Sequence, residues 1–365
     1  MPRPPGPAPA VAAVRLAVRP LLTAAPDSRP GVGRSAGGPV IVACSGGADS
    51  LALLAATVFE AAKVGVPVVG ATVDHGLQPE SADRAEAVVD QMKRLGATEA
   101  VSVRVHVDPA GRGVEAAARA ARYDVLRRLA ADHGSSMVLL GHTRDDQAET
   151  VLLGLVRGSG GRSLAGMPPS VDGLFYRPLL QLTREQTEAA CRAEGIEVWS
   201  DPHNADPRFT RSRIRHRVLP VLESELGPGV AAALARTAEM LRADVEALDR
   251  IAAAWFGEHR SPHPPEQQTQ PALEGPAGTG VAGTGVVGTG VGLDVGELAA
   301  LDEAIRLRVL RLAAVAAGSP PGELFRVHVL AVDDLVCRYT GQQRIDLPGP
   351  VHAVRSGPVL RFLRP

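Results

Sequence analysis

The chain has 365 residues, of which 45% are hydrophobic and 22% charged, and its formal net charge is −1. That length exceeds what one hydrophobic core usually serves, so two domains are expected, and the composition excludes a chain disordered throughout. A charge so near zero excludes long-range attraction of nucleic acid by the whole protein, so any RNA contact must come from a local cluster of Lys or Arg.

Cys44, Cys191 and Cys337 are odd in number and far apart, which fits a reducing compartment and neither a disulfide framework nor a zinc knuckle. The N-terminus carries Arg3, Arg15 and Arg19 but is broken by prolines, and it lacks the apolar core of a signal peptide. No stretch approaches the roughly 20 apolar residues of a membrane span. A cytoplasmic protein without a membrane partner is expected.

Residues 1–38 read as a flexible leader rich in Pro, Ala and Gly. It holds one short helix near 10–19, with Val11, Val14 and Val18 at helical spacing, which Pro20 is expected to stop. From residue 39 the apolar runs PVIVAC, VVGATVD, VSVRVHV and MVLLG alternate with helical segments at 51–62, 82–95, 114–133 and 147–156. That alternation predicts an α/β fold over 39–220, an open parallel sheet with helices on both faces. A smaller, mainly helical domain is expected over 221–365, with helices at 231–255, 298–317 and 324–338 and a strand-forming tail, IDLPGPVHAVRSGPVLRFL. It is interrupted at 259–292 by a low-complexity insert ending in the repeats GTGVA, GTGVV and GTGVG. No apolar strand run precedes those glycines, so the insert is expected to be disordered and to carry no chemistry.

The first strand runs directly into Ser45, Gly46, Gly47, Ala48, Asp49 and Ser50, and a helix follows at once. This is the physics of an anion site. The glycines let the backbone approach phosphate oxygens, the helix start offers free N–H groups, and the Ser45 and Ser50 hydroxyls add donors. Asp49 would repel phosphate directly, and makes sense as a ligand of Mg²⁺ bridging the phosphates. No Lys follows, so this is not the GxxxxGK loop of P-loop NTPases. The string SGGxDS after a strand resembles the pyrophosphatase loop of enzymes that cleave ATP between its α- and β-phosphates. The bland alternative is an ordinary strand-to-helix turn.

Asp74 and His75 end the second strand, where an open parallel sheet places them beside that loop. After the fourth strand comes Gly141-His142-Thr143-Arg144-Asp145-Asp146-Gln147-Ala148-Glu149-Thr150. Helix capping accounts for one or two of its acids, but not for a histidine with three of them. Arg208, Arg211, Arg213, Arg215 and Arg217 form a basic stretch, read as a phosphate contact on RNA or ATP, or else as a solvated helix face.

Taken in order, SGGADS, VDHGLQPES, EAAARAARYDVL, GHTRDDQAETVLLGLVRGSG, SLAGM and RPLL resemble the N-terminal domain of tRNA(Ile)-lysidine synthases over about 40–220. Gln78 departs from the Arg that many family members carry after DHGL. The resemblance implies an adenine nucleotide alpha hydrolase-like sheet and a carbon–nitrogen ligase working on the wobble cytidine of tRNA(Ile) with a CAU anticodon. In that reaction the C2 oxygen attacks the α-phosphate of ATP and releases diphosphate. The ε-amine of free L-lysine then attacks C2 and expels AMP. The product, lysidine, changes codon reading from AUG to AUA and tRNA identity from Met to Ile. The chain looks too short for the further C-terminal modules of longer members.

Under that reading Asp49, His75, Asp145, Asp146 and Glu149 are the catalytic candidates. Freeing the lysine amine at pH 7 costs about 4.6 kcal/mol, at about 1.36 kcal/mol per pKa unit from a model value near 10.4. Asp145, Asp146 and Glu149 are therefore expected to hold the ammonium, and one of them or His75 to accept its proton. Two rivals stay open: a tRNA thiolase using the same loop, which would commonly need paired cysteines, and a silent tRNA-binding protein. A homodimer is compatible with the sequence.

Overall fold

The computed structural model describes residues 6–23, 38–76, 80–105, 114–158, 160–199, 206–263, 290–342 and 344–364. Gln78 and most of the 259–292 insert lie outside them. The chain divides into two compact units, Met1–Arg242 and Ala243–Pro365.

In the first unit the strands are β1 (Val40–Ala43), β2 (Val68–Asp74), β3 (Glu99–Arg104), β4 (Val138–Leu140), β5 (Ser170–Val171) and β6 (Phe175–Tyr176). The helices are α1 (Pro9–Thr23), α2 (Ala48–Ala62), α3 (Ser81–Arg94), α4 (Val114–Asp132), α5 (Arg144–Val156), α6 (Gly161–Leu164) and α7 (Arg184–Ala193). They are followed by α8 (Thr210–Arg213), a π-helical turn (Ile214–Val218), α9 (Leu219–Leu226) and the start of α10 (Val230–His259). The sheet order is β3-β2-β1-β4-β6-β5, parallel throughout except for the short edge pair β5–β6. β1 and β4 are buried on both faces, which is why they read as unbroken apolar runs. The chain steps outward from β1 through β2 to β3, then returns to place β4 on the other side of β1. The β1/β4 boundary is therefore the switch point at which such sheets bind ligands.

The leader differs from the sequence expectation. α1 continues through Pro20 to Thr23 and buries Val11, Val14, Val18 and Leu22 in the core shared with α2 and α7. Each such burial stabilises by about 1.5–3 kcal/mol. Together they outweigh the roughly 3 kcal/mol of a proline inside a helix.

The second unit contains α11 (Val295–Ala299), α12 (Glu303–Ala316) and α13 (Arg326–Cys337). It also holds a five-stranded antiparallel sheet of β7 (Ser261–His263), β8 (Gly290–Asp294), β9 (Ile345–Leu347), β10 (Val351–Ser356) and β11 (Val359–Leu363), in the order β7-β8-β11-β10-β9. The sheet makes this unit less helical than expected. Both ends of the expected insert are strands, paired Ser261↔Gly292 through His263↔Gly290. The single helix expected at 298–317 is two, because Asp294 caps α11 through the Glu297 N–H and Asp302 begins α12. Among the described residues no single helix is long and apolar enough to cross a membrane.

Candidate active site

The loop after β1 is closed by Ser50. Its Oγ accepts from the Ser45 N–H at 3.1 Å and donates to the Gly47 carbonyl at 2.9 Å. Ser50 is thus a buried brace of the loop, whereas Ser45 is the hydroxyl left exposed to a ligand. Gly46 sits at φ +82°, and a Cβ there would meet Val88 Cγ2 at 2.8 Å, so this position requires glycine. Gly47 begins α2 without a capping side chain, which leaves the helix start open to an anion. Gly141, just past β4, approaches so closely that a Cβ would lie 3.0 Å from the Asp49 backbone. The ends of β1 and β4 therefore share one crevice.

Into that crevice α5 and α7 deliver an interlocked set of acids and arginines. Asp146 closes a capping box with Thr143 (N–H to Oδ2, 2.8 Å) while its Oδ1 accepts from Arg184 and Arg215, each at 3.2 Å. Glu149, fully buried, accepts from Arg215 Nε at 2.6 Å and Arg211 Nε at 3.0 Å. Asp145 accepts from the Arg184 backbone N–H at 2.9 Å. Arg184 also reaches Asp49 Oδ2 at 3.4 Å, and the Thr187 hydroxyl donates to Asp49 Oδ1. Arg211 and Arg215, four residues apart, both turn to Glu149 from the helix that widens into a π turn before Pro220. That proline has no N–H to offer the His216 carbonyl.

Burial holds the Asp49 pKa above its ordinary value despite Arg184 and Thr187. For Asp146, burial opposes ionisation, but Arg184, His142 and the Thr143 N–H outweigh it and pull the pKa down. Beside this cluster a small cavity of about 170 Å³ is lined by Asp145, Glu149, Arg184, Arg215, Leu219 and Glu223.

His75 occupies the end of β2 as expected, with Arg122 of α4 donating to its Nε2 at 3.1 Å. Arginine only donates, so the proton of neutral His75 is on Nδ1, and that buried atom has no partner among the described residues. Burial first, then Arg122, lowers its pKa to about 4. His142 is lowered to about 3, chiefly by burial, and its Nδ1 is likewise unpartnered. Both imidazoles are neutral at pH 7, and the one accepting nitrogen of His75 is already taken by Arg122.

A family model described as a PP-loop domain matches residues 30–222, and one described as the TilS substrate binding domain matches 293–357. The tRNA(Ile)-lysidine synthase of Streptomyces coelicolor is 48% identical, over 96% of this chain and 97% of its own length. That of Thermobifida fusca is 49% identical over 94% of each chain, and that of Salinispora arenicola 47% identical over 98% of each. The chain belongs to the tRNA(Ile)-lysidine synthase family. A solved U34-tRNA thiolase from Methanococcus maripaludis has a TM-score of 0.48 at 18% identity, covering 64% of this chain and 79% of that one, too distant to carry an argument.

Of the residues singled out from this synthase-like sequence, the structure brings Asp49, Asp146, Glu149, Arg211 and Arg215 into one network, with Asp145 at its edge. The other arginines lie elsewhere. Arg208 pairs with Asp206 at 2.7 Å, Arg213 donates to the Pro207 carbonyl at 2.7 Å, and Arg217 is exposed. Sequence reasoning missed Arg184, Thr187 and Arg122. For Arg184 the available signal was the T-R-E-Q capping box, in which Thr183 and Gln186 fix the first turn of α7. Trp199 was also missed; its backbone N–H donates to the Gly46 carbonyl at 3.3 Å. The two buried thiols, Cys44 and Cys191, do not favour sulfur chemistry. Burial raises the Cys44 pKa and pushes Cys191 up to about 12, so neither is a thiolate at neutral pH.

Proposed function

We infer that this chain is an ATP-dependent ligase that joins L-lysine to C2 of the wobble cytidine of tRNA(Ile), giving lysidine, AMP and diphosphate. One observation carries the reading. A glycine-built anion loop at the β1/β4 switch point opens beside a cluster of carboxylates and guanidiniums, in a chain 48% identical to a tRNA(Ile)-lysidine synthase across nearly its full length.

ATP binds with its phosphates against Ser45, Gly46, Gly47, Ala48 and Asp49. Among the described residues no three His, Cys, Asp or Glu side chains form a metal cage. Mg²⁺ accompanying ATP needs only one or two carboxylates, because phosphates and water complete its shell, and Asp49 fits that role. Bound there, the ion would offset charge building on the phosphates during adenylation. The base oxygen is a poor leaving group, and adenylation turns it into a phosphate ester that departs as AMP.

Free lysine suits the small cavity because it carries both signs. Its ammonium faces Asp145 and Glu149 of the cavity lining, with Asp146 behind them on Arg184 and Arg215, and its carboxylate faces Arg215 or Arg184. Arg211 and Arg215 pair with Glu149, and Arg215 also with Asp146; one carboxylate takes the proton released as the nitrogen bonds to C2. Residues 39–220 form the catalytic domain. Residues 221–365 bind the tRNA, aided by Arg208, Arg213 and Arg217 on the preceding segment. The test is mass analysis of nucleosides from tRNA(Ile) incubated with the protein, ATP, Mg²⁺ and isotope-labelled lysine. Lysidine carrying the label supports the reading, and label-free tRNA refutes it.

A further inference from the structure

One face of α7 is directed at the first turn of α2. Arg184, Thr187 and Cys191 stand at i, i+3 and i+7. Arg184 Nε lies 3.4 Å from Asp49 Oδ2, the Thr187 hydroxyl donates to Asp49 Oδ1, and Cys191 Sγ is 3.5 Å from the Ala48 carbonyl. α7 is a rigid platform for these contacts. Its first turn is fixed by the Thr183–Gln186 capping box, and its far end is tied to α1 by an Arg15–Glu194 ion pair at 2.6 Å. The shared core of α1, α2 and α7 includes Val14, Val18, Leu51, Leu54, Ala190 and Cys191.

Thr187 is wholly buried, and its oxygen also lies 2.8 Å from the Arg184 carbonyl. A hydroxyl has one proton to give, and the charged acceptor takes it in preference to a carbonyl. One oxygen of Asp49 is therefore pinned to the protein. Among the described residues the other, Oδ2, is paired with the partly solvated Arg184 side chain. Pinning one oxygen fixes the direction in which the second can bind a ligand.

We propose that Thr187 is a positioning residue for the adenylation step, holding Asp49 Oδ1 so that Oδ2 faces the phosphates of ATP. This rests on the reading of Asp49 as a phosphate-side ligand. Thr187 touches no substrate and acts through Asp49 alone. Of the described residues that line the lysine cavity, Arg184 touches it through its backbone carbonyl and not through its guanidinium, so its influence falls on ATP and not on lysine.

The experiment is equilibrium titration of the full-length protein with ATP in the presence of Mg²⁺ and without tRNA, for wild type, Thr187→Val, Thr187→Ser and Asp49→Ala, with KM for ATP and for lysine measured alongside. Removing one hydrogen bond to a charged group predicts about tenfold weaker ATP binding in Thr187→Val. Thr187→Ser, which keeps the hydroxyl, should bind within about twofold of wild type, and KM for lysine should be unchanged in both. Thr187→Ala supplies the same contrast with Ser if the Val variant does not fold. Wild-type ATP affinity without the hydroxyl overturns the proposal. So does a Ser variant as weak as the Val or Ala variant, or an equal rise in both KM values, because packing alone would then explain the effect. If Asp49→Ala binds ATP normally, the reading of Asp49 falls first. If only the Asp49 variant is impaired, that reading stands and the role of Thr187 falls.

Discussion

The phosphate loop and the acid–arginine cluster lie side by side, yet they are built in opposite ways. The loop is contiguous: six residues, Ser45 to Ser50, that follow a buried strand and run into the first turn of α2, shaped by backbone, with Ser50 fastening it from within. The cluster draws its side chains from three separate segments. Arg211 and Arg215 reach Glu149 across 62 and 66 residues of sequence, and Arg184 reaches Asp49 across 135. A backbone site tolerates changes that keep its conformation. A network of buried charges does not tolerate the loss of one member, because the remaining charges lose their compensation.

That contrast can be broken by substitution. The largest effect is expected at Asp146→Asn, which preserves the α5 cap but removes a charge facing Arg184 and Arg215. Lysine incorporation should fall on the order of 10²–10⁴-fold, with ATP binding retained, as read by product formation and ATP titration. Normal turnover would remove Asp146 from the chemistry. Next comes Glu149→Gln, which strips the buried partner from Arg211 and Arg215. Because both guanidiniums are partly solvated, the loss should sit near the low end for broken buried pairs, about 3 kcal/mol, measurable by denaturant unfolding. A loss below about 0.5 kcal/mol would make the cluster no more demanding than a surface ion pair.

On the loop side, Gly46→Ala forces a left-handed backbone and a contact with Val88. The left-handed conformation costs about 1–2 kcal/mol, so ATP affinity should weaken by roughly tenfold while KM for lysine stays put.

Smaller effects separate the two regions by pH and salt. His142 and His75 have pKa values near 3 and 4, below the ordinary 6.5. Their contribution to stability is therefore present above pH 6.5 and is lost as pH falls toward those values, because the unfolded chain takes up the protons first. His142→Asn should lose less stability than wild type between pH 7 and pH 5, and an unchanged loss would contradict the buried neutral imidazole. Least in size, Arg217→Ala should leave stability unaltered and lower the salt slope of tRNA binding by about one. Arg215→Ala should instead act on folding and on lysine.

The same contrast explains what was legible. The loop, the alternation of parallel strands with helices and the acids after β4 could be read because strand, turn and helix follow one another within a few residues, each with its own pattern. Arg211 and Arg215 were visible as a basic cluster, but their turn inward was not, since nothing in TRSRIRHR names Glu149 as the destination. Thr187 lay in a stretch, 184–193, for which no helix was expected, so nothing pointed it at Asp49. α1 looked loose because Pro20 suggested an end, and the burial that overrides it comes from α2 and α7. Strands β7 and β8 were hidden because they flank low-complexity text.

The most direct test of the central claim, that the loop after β1 grips ATP for adenylation of tRNA, is to count AMP and diphosphate released by wild type and Asp49→Ala with tRNA(Ile), lysine and Mg²⁺ present. The account predicts tRNA-dependent release from wild type, one AMP for each lysine incorporated, and near-complete loss in the variant. Release of ADP, or equal AMP formation by both proteins, would contradict it.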